Sequence, residues 1–344
     1  MEYIETFIDS EFLLWFHLNK PDDNLESIVG LDLYDIWKKY YLFIKNNNSL
    51  VKLKIDEEDS KKITSTSDYN LALFKHLINS YLSGDCNVEI VKNLQPLIDE
   101  KPFVKLQTTS NLCCDPSIAF PVNTTSFFDE WDKITENSNT KSIAKKFTTD
   151  NHLNNWNDLK NDIFQSNAFI ITDRYLFSYY KAFDQNFKKL LSLFLPQNKN
   201  VNFHLLIITT SIKDINNIYE RLDYFLHREK GFKNADVTII RANIDDEHDR
   251  RIYTNLQVLK SSNSFNYFDE NGQTVLKHTA TLDIHNLISK NKKELFIGFF
   301  NPFLRHVKDI VNNVKEHDYR GSKKCRLLSL LDDENTNEIK EVLI

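Results

Sequence analysis

From about residue 160 onwards, short unbroken apolar runs alternate with runs of helical period, and few architectures accommodate that order. "NAFIITD" reads as a buried strand. "DQNFKKLLSLFLP" then places Phe187, Leu190, Leu191, Phe194 and Leu195 at i, i+3, i+4, i+7 and i+8, an amphipathic helix that stops at Pro196. "VNFHLLIITT" repeats the strand, Ser211 and Asp214 open a helix in an S-x-x-D pattern, and Ile215, Ile218, Leu222, Phe225 and Leu226 form its apolar side. "ADVTIIRANI" is a third strand. Strands separated by helices cannot pair as simple hairpins, so the C-terminal half is expected to be α/β, a parallel or mixed sheet covered by helices. In such sheets ligands sit beyond the carboxyl ends of the strands, and the segment that follows the third strand is "DDEHDRRIYTN", residues 245 to 255.

The first half is less regular and predicts an α+β domain over residues 1–150. "LYDIWKKYYLFIKNN" sets Leu33, Ile36, Tyr40 and Phe43 on one helical side, "LVKLKID" alternates like a strand, and "YNLALFKHLINSYLSG" is a second helix that ends on Gly84. The polar, poorly periodic "TTDNHLNNWND" at 148–158 predicts the boundary. The α/β domain is then expected over 158–320, with a basic linker ("GSKKCR", 321–326) and a C-terminal helix completing 321–344.

Composition removes several function classes. Of 344 residues, 41% are hydrophobic and 27% charged, the balance of a globular chain with a real core. The net charge of −6 provides no global attraction to polyanions, so a nucleic-acid partner has to meet a local basic patch. All six glycines stand alone, which excludes a G-x-G-x-x-G loop and a P-loop, because close backbone approach to phosphate needs clustered glycine. Cys86, Cys113, Cys114 and Cys325 form neither a C-x-x-C pair nor a zinc-ribbon spacing, and are read as reduced thiols of a cytoplasmic protein. No apolar run reaches the roughly 20 residues of a membrane span, and "MEYIETFIDSEFLLWFH" carries carboxylates where a signal peptide needs positive charge. The asparagine- and lysine-rich, glycine-poor composition is what an AT-rich bacterial genome encodes.

Within "DDEHDRRIYTN", His248, Arg250 and Asn255 form an H-x-R-x4-N pattern, and "KSSNSFNYF" follows at 260–268. A neutral imidazole is a competent nucleophile, and an adjacent guanidinium stabilises charge on a phosphate through a bidentate fork. The pattern resembles the H-x-K-x4-D signature of the phospholipase D superfamily. The order of elements over 160–290 is also similar to the phospholipase D-like C-terminal domain of microtubule-interacting-and-trafficking proteins, a non-catalytic relative. The resemblance implies His248 as nucleophile, Arg250 on phosphate and Asn255 as positioning amide, with Arg251, Ser262, Asn263 and Arg174 as further phosphate-binding residues and no cofactor. The partners it implies are nucleic acid or a phosphorylated partner; active members bring two signatures together, and a homodimer could supply the second, the other option being a subunit of a larger complex. The setting it suggests is a bacterial defence or mobile-element system. The sequence departs from the family pattern in three ways: arginine stands for lysine, Asn255 for the acid, and Asn263 falls two residues early in a turn without the family's glycines. These departures favour phosphate recognition over turnover; an active metal-independent phosphodiesterase and a non-catalytic scaffold are the alternatives.

Competing readings of the same residues are blander. The stretch also suits a solvated loop that leads into a strand. Asp245, Asp246, Glu247 and Asp249 offer oxygens to Mg²⁺, but consecutive residues converge poorly on one ion and no metal is expected. His306, Lys308 and Asn313 repeat the spacing inside a run of helical pattern. "DRYLFSYY" (173–180) offers Arg174 and three tyrosines either to a ligand or to the sheet edge, and Asp9 with Glu11 forms an acid pair without a third member.

Overall fold

The structure is a computed structural model. It describes residues 4–21, 28–45, 49–55, 72–84, 88–91, 105–109, 121–135, 139–143, 152–210, 215–241, 250–254, 256–276, 278–286, 305–307, 309, 315–318, 325–329 and 337–338. The chain divides into two compact units, Met1–Ile98 with Val104–Glu136, and Asp99–Phe103 with Asn137–Ile344.

In the first unit the elements run β1 (Ile4–Asp9), α1 (Ser10–Leu18), α2 (Ile28–Lys45), β2 (Ser49–Lys54), α3 (Ala72–Leu82), β3 (Val88–Val91), β4 (Lys105–Thr109), β5 (Pro121–Asn123) and α4 (Phe127–Thr135). Among the described residues the sheet order is β3-β2-β1-β4-β5 and every pairing is parallel. This corrects the α+β expectation: strands that all run one way need crossover connections, which makes this half α/β as well. The sequence concealed it because "KLQTT" and "PVN" are short and largely polar, and β1 runs without a break into α1. The helices predicted around Tyr40 and before Gly84 are α2 and α3, and "LVKLKID" contains β2. At φ +78° Gly84 takes up the left-handed turn that ends α3. The first core is aromatic: Tyr40 of α2 meets the edge of Trp131 of α4 at 4.9 Å between centroids, and Phe12 and Phe16 of α1 pack on Phe127 at 5.6 and 5.5 Å.

The second unit contains β6 (Asn139–Ile143), a 3₁₀ turn (Trp156–Leu159), β7 (Ala168–Thr172), a π turn (Phe183–Phe187) leading into α5 (Lys188–Phe194), and β8 (Phe203–Thr209). Next come α6 (Ile215–Asp223), continued by a π turn (Tyr224–Glu229), and then β9 (Ala235–Arg241), β10 (Arg250–Thr254), β11 (Gln257–Ser261) and β12 (Ala280–Asn286). The C-terminal strands are β13 (Lys315–Asp318), β14 (Cys325–Ser329) and β15 (Asn337–Glu338). They form one mixed sheet in the order β15-β13-β14-β9-β8-β7-β10-β11-β12-β6. β7, β8, β9 and β14 are mutually parallel, whereas β10, β11, β12 and β6 continue as antiparallel neighbours. The three strands and two helices expected between 168 and 241 are therefore present, and the expectation of a mixed sheet covered by helices describes this unit.

Two boundaries differ from expectation. The division falls at 136/137, not 148–158, because residues 139–143 form the edge strand beside β12. Residues 325–329, expected as the end of a basic linker and the start of a C-terminal helix, are a strand paired in parallel with β9, and 337–338 pair with β13. "CRLLS" is too short to declare its period, and its partner lies far back in the chain. Leu190, Leu191 and Phe194 of α5, with Ile218 and Leu222 of α6, pack on one sheet face formed by Phe169, Ile171, Leu205, Ile207, Val237, Ile239, Ile252, Leu259 and Leu282. Among the described residues, no helix is long and apolar enough to cross a membrane.

Candidate functional site

The direction of the sheet's neighbours changes at β7, which has parallel β8 on one side and antiparallel β10 on the other. Antiparallel pairing brings the start of β10 to the carboxyl end of β7, and β11 returns its own end to the same rim. Arg251 pairs with Thr172 and Arg250 with Ser261. One further step in register sets Arg250 opposite Asp173. Alternation places all three residues on the helix-covered face: Asp173 follows Phe169 and Ile171, Arg250 precedes Ile252, and Ser261 follows Leu259. The rim thus carries an acid, a cation and a hydroxyl on three adjacent strands.

Asp173 is the hub. It is 1% exposed, and its Oδ2 accepts from Ser264 Oγ at 2.7 Å and the Phe265 amide at 2.8 Å, while Oδ1 accepts from the Tyr175 amide at 2.9 Å. Burial pushes its carboxyl above the ordinary aspartate range; the three hydrogen bonds and the Arg250 charge act in the opposite direction and only partly offset it. Asn266 ties the same segment to the strand end, with Nδ2 donating to the Tyr175 carbonyl at 2.7 Å and to Ser264 Oγ at 3.2 Å. Tyr267 is fully buried with its hydroxyl on Ser261 Oγ, and burial raises its phenol far above the usual tyrosine value. Its ring stacks on Trp156 at 5.0 Å.

Of the residues expected to form the site, the structure gathers Arg250, Ser262 and Asn263 at this rim. Ser262 is engaged with β12, since its Oγ accepts from the Thr281 amide at 2.9 Å. The side chain of Asn263 closes a local turn, accepting from the Ser264 amide at 2.8 Å. Arg174 follows Asp173 directly and lies with its guanidinium 5.4 Å from the centre of the Tyr175 ring. Arg251 alternates to the opposite sheet face, where its Nη1 reaches the Tyr253 hydroxyl at 3.5 Å. It is therefore separated from Arg250, although the two are adjacent in sequence. His248 and Asn255 lie outside the described residues, as do Asp245, Asp246, Glu247 and Asp249. Lys308 and Asn313 of the second spacing also lie outside them, and His306 is exposed on a short helical turn.

Sequence reasoning placed Asp173 only within a tyrosine-rich stretch and did not select Ser264, Asn266 or Tyr267. The available signal was an acid directly ending an apolar strand, a costly position that calls for a partner. That the partner is the 264–265 segment, 91 and 92 residues onward, has no local signature. No protein-family model matches the chain, and no curated protein is significantly similar to it.

Proposed function

We propose that the second unit is a phospholipase D-like module that recognises a phosphodiester backbone at the rim where β7 ends and β10 begins. One observation carries this reading: Arg250, two residues after His248, heads its strand beside the buried acid Asp173 and the 261–266 segment. Arg250 of the first pattern and the "SSNSF" segment thereby share one rim of the sheet. In this reading Arg250 takes the phosphate oxygens and Arg174 adds a second cation. Asp173 fastens the 264–266 segment and fixes the electrostatic setting of Arg250. In the sequence pattern His248 takes the nucleophile's position, and an amide, Asn255, where the family has an acid weights the reading towards binding. A nucleic-acid backbone within a bacterial defence or mobile-element complex is the partner in this proposal.

The test is a retention assay with labelled single- and double-stranded DNA and RNA, with and without EDTA, comparing the natural protein with His248→Ala and Arg250→Gln. Retention without cleavage is expected. Arg250→Gln should weaken it and reduce the slope of log affinity against log salt by about one phosphate contact. An unchanged slope overturns the assignment of Arg250. Cleavage that survives EDTA and is lost in His248→Ala makes the site a metal-independent phosphodiesterase. No retention of any probe leaves a scaffold role for this unit.

A further inference from the structure

The first unit carries a surface of different chemistry. Tyr34, Trp37 and Tyr41 stand at i, i+3 and i+7 on α2, and the Trp37 ring lies 15° from the plane of Tyr34 and 12° from that of Tyr41, with centroids 6.3 and 5.5 Å apart. Trp37 is anchored: its ring lies 4.6 Å from that of buried Phe16, 5° from parallel, and its Nε1 donates to the Phe16 carbonyl at 2.8 Å. All three rings are partly exposed. Lysine ammoniums surround them, with Lys20 5.5 Å from the centre of Tyr34 and 5.9 Å from that of Trp37, Lys38 5.8 Å from Tyr34, and Lys45 5.5 Å from Tyr41.

The placement of charge on α2 is one-sided. At 100° per residue Tyr34, Trp37, Lys38, Tyr41 and Lys45 fall within a sector of about 100°, whereas Asp32, Asp35 and Lys39 fall outside it. Lys39 faces away to Asp132 at 3.0 Å. The protein is acidic overall, yet apart from Gly30 the α2 residues of this sector are aromatic and cationic. Rings alone would suit any apolar partner. Parallel rings bordered by cations suit a polyanion whose apolar faces are flat, which is the chemistry of an unpaired nucleic-acid strand: bases stack on the rings and phosphates meet the ammoniums. A duplex keeps its base faces stacked internally and offers only phosphates. From Tyr34 to Tyr41 the row extends about 10 Å along the helix, and aromatic platforms of this kind take two or three bases.

We infer that the Tyr34–Trp37–Tyr41 row, with Lys20, Lys38 and Lys45, is a docking surface for an unpaired nucleic-acid strand. It is independent of the phosphate site proposed for the second unit, since it uses no residue of that unit and stacking in place of phosphate recognition.

The test is titration of the full chain with a twelve-nucleotide oligothymidylate and with a twelve-base-pair duplex. Intrinsic tryptophan fluorescence and anisotropy are followed for the natural protein, Tyr34→Leu/Tyr41→Leu, Trp37→Phe, Lys20→Gln/Lys38→Gln/Lys45→Gln, and Arg250→Gln. Leucine and phenylalanine preserve apolar contact with Phe16 and its neighbours, and circular dichroism confirms that each variant is folded. The single strand should quench fluorescence and the duplex should not. Most of the quench should be lost in Trp37→Phe, because Trp131 and Trp156 are buried and Trp15, the other partly exposed tryptophan, lies outside the row. The double tyrosine variant should bind the single strand about tenfold more weakly, the triple lysine variant should show a flatter salt dependence, and Arg250→Gln should keep the full quench. Equal binding of duplex and single strand, a quench unchanged in Trp37→Phe, or an unaltered double tyrosine variant overturns the assignment. So does a concentration-dependent dimer that the double tyrosine variant abolishes, since the row would then be covered by a second copy.

Discussion

Two aspartates of this protein occupy the same topological position and do different work. Asp9 ends β1, the strand from which the first sheet extends in both directions, and Asp173 directly follows β7, where the second sheet changes from parallel to antiparallel. Each ends an apolar run, "TFID" and "FIITD", and each is almost fully buried, at 2% and 1% exposure. Asp9 turns onto its own chain and caps α1, accepting from the Phe12 amide at 2.6 Å. Asp173 reaches across 91 residues to hold Ser264 and the segment beside Arg250. An acid at the end of a buried strand must find donors, but whether they come from the next turn of helix or from a distant loop depends on what the sheet brings alongside.

Substitution should separate the two most sharply. Asp173→Ala removes the acceptor of three donors, two of them on a segment fixed by tertiary contacts alone, and should cost about 3 kcal/mol in urea unfolding followed in the second unit. A cost below about 1 kcal/mol would make its long-range role no larger than a cap. The effect of pH comes next. Below the ordinary aspartate value the carboxyl is protonated in folded and unfolded chains alike. Above it the unfolded chain loses the proton first, because burial holds the Asp173 value up in the folded state. Stability should therefore fall as pH rises through that window, by up to about 1.4 kcal/mol per pH unit, until the folded carboxyl ionises. Asp173→Asn should lose this component, and a slope identical to that of the natural protein would refute it. Asp9→Ala should cost about 1 kcal/mol in the first unit, with most of the loss restored by Asp9→Asn, which retains an accepting oxygen. The smallest effect is expected at the exposed Lys181–Glu270 pair, where Lys181→Ala should change stability by less than about 0.5 kcal/mol although it too links distant segments. Distance along the chain without burial carries little energy.

The strands and helices from 168 to 241 were legible in the sequence because period is a local property: Leu190, Leu191 and Phe194 show their buried side within two turns. The parallel sheet of the first half was not, since β4 and β5 contain few apolar residues and gain their identity only from strands already in place. The candidate site was legible in part. The pattern around Arg250 lies at the rim where β7 ends and β10 begins, but the sequence does not separate Arg250 from the adjacent Arg251, which strand alternation sends to the opposite face. On α2, spacing chose Leu33, Ile36, Tyr40 and Phe43 as the inward side, and this left the row of Tyr34, Trp37 and Tyr41 outside the sequence argument until their rings were seen in parallel.

By itself, the sequence determined the alternation of strand and helix in the second half, the apolar side of each helix there, and the exclusion of glycine-dependent nucleotide loops. Each of these follows from dihedral preference and side-chain period within a dozen residues. Tertiary structure alone decided that Asp173 holds Ser264, that residues 139–143 and 325–329 complete the second sheet, and that Arg250 stands beside a buried acid. The physical reason is common to all three. Strand pairing and the satisfaction of buried polar groups select partners by proximity in space, and between segments this far apart in the chain that proximity exists only after the sheet has closed.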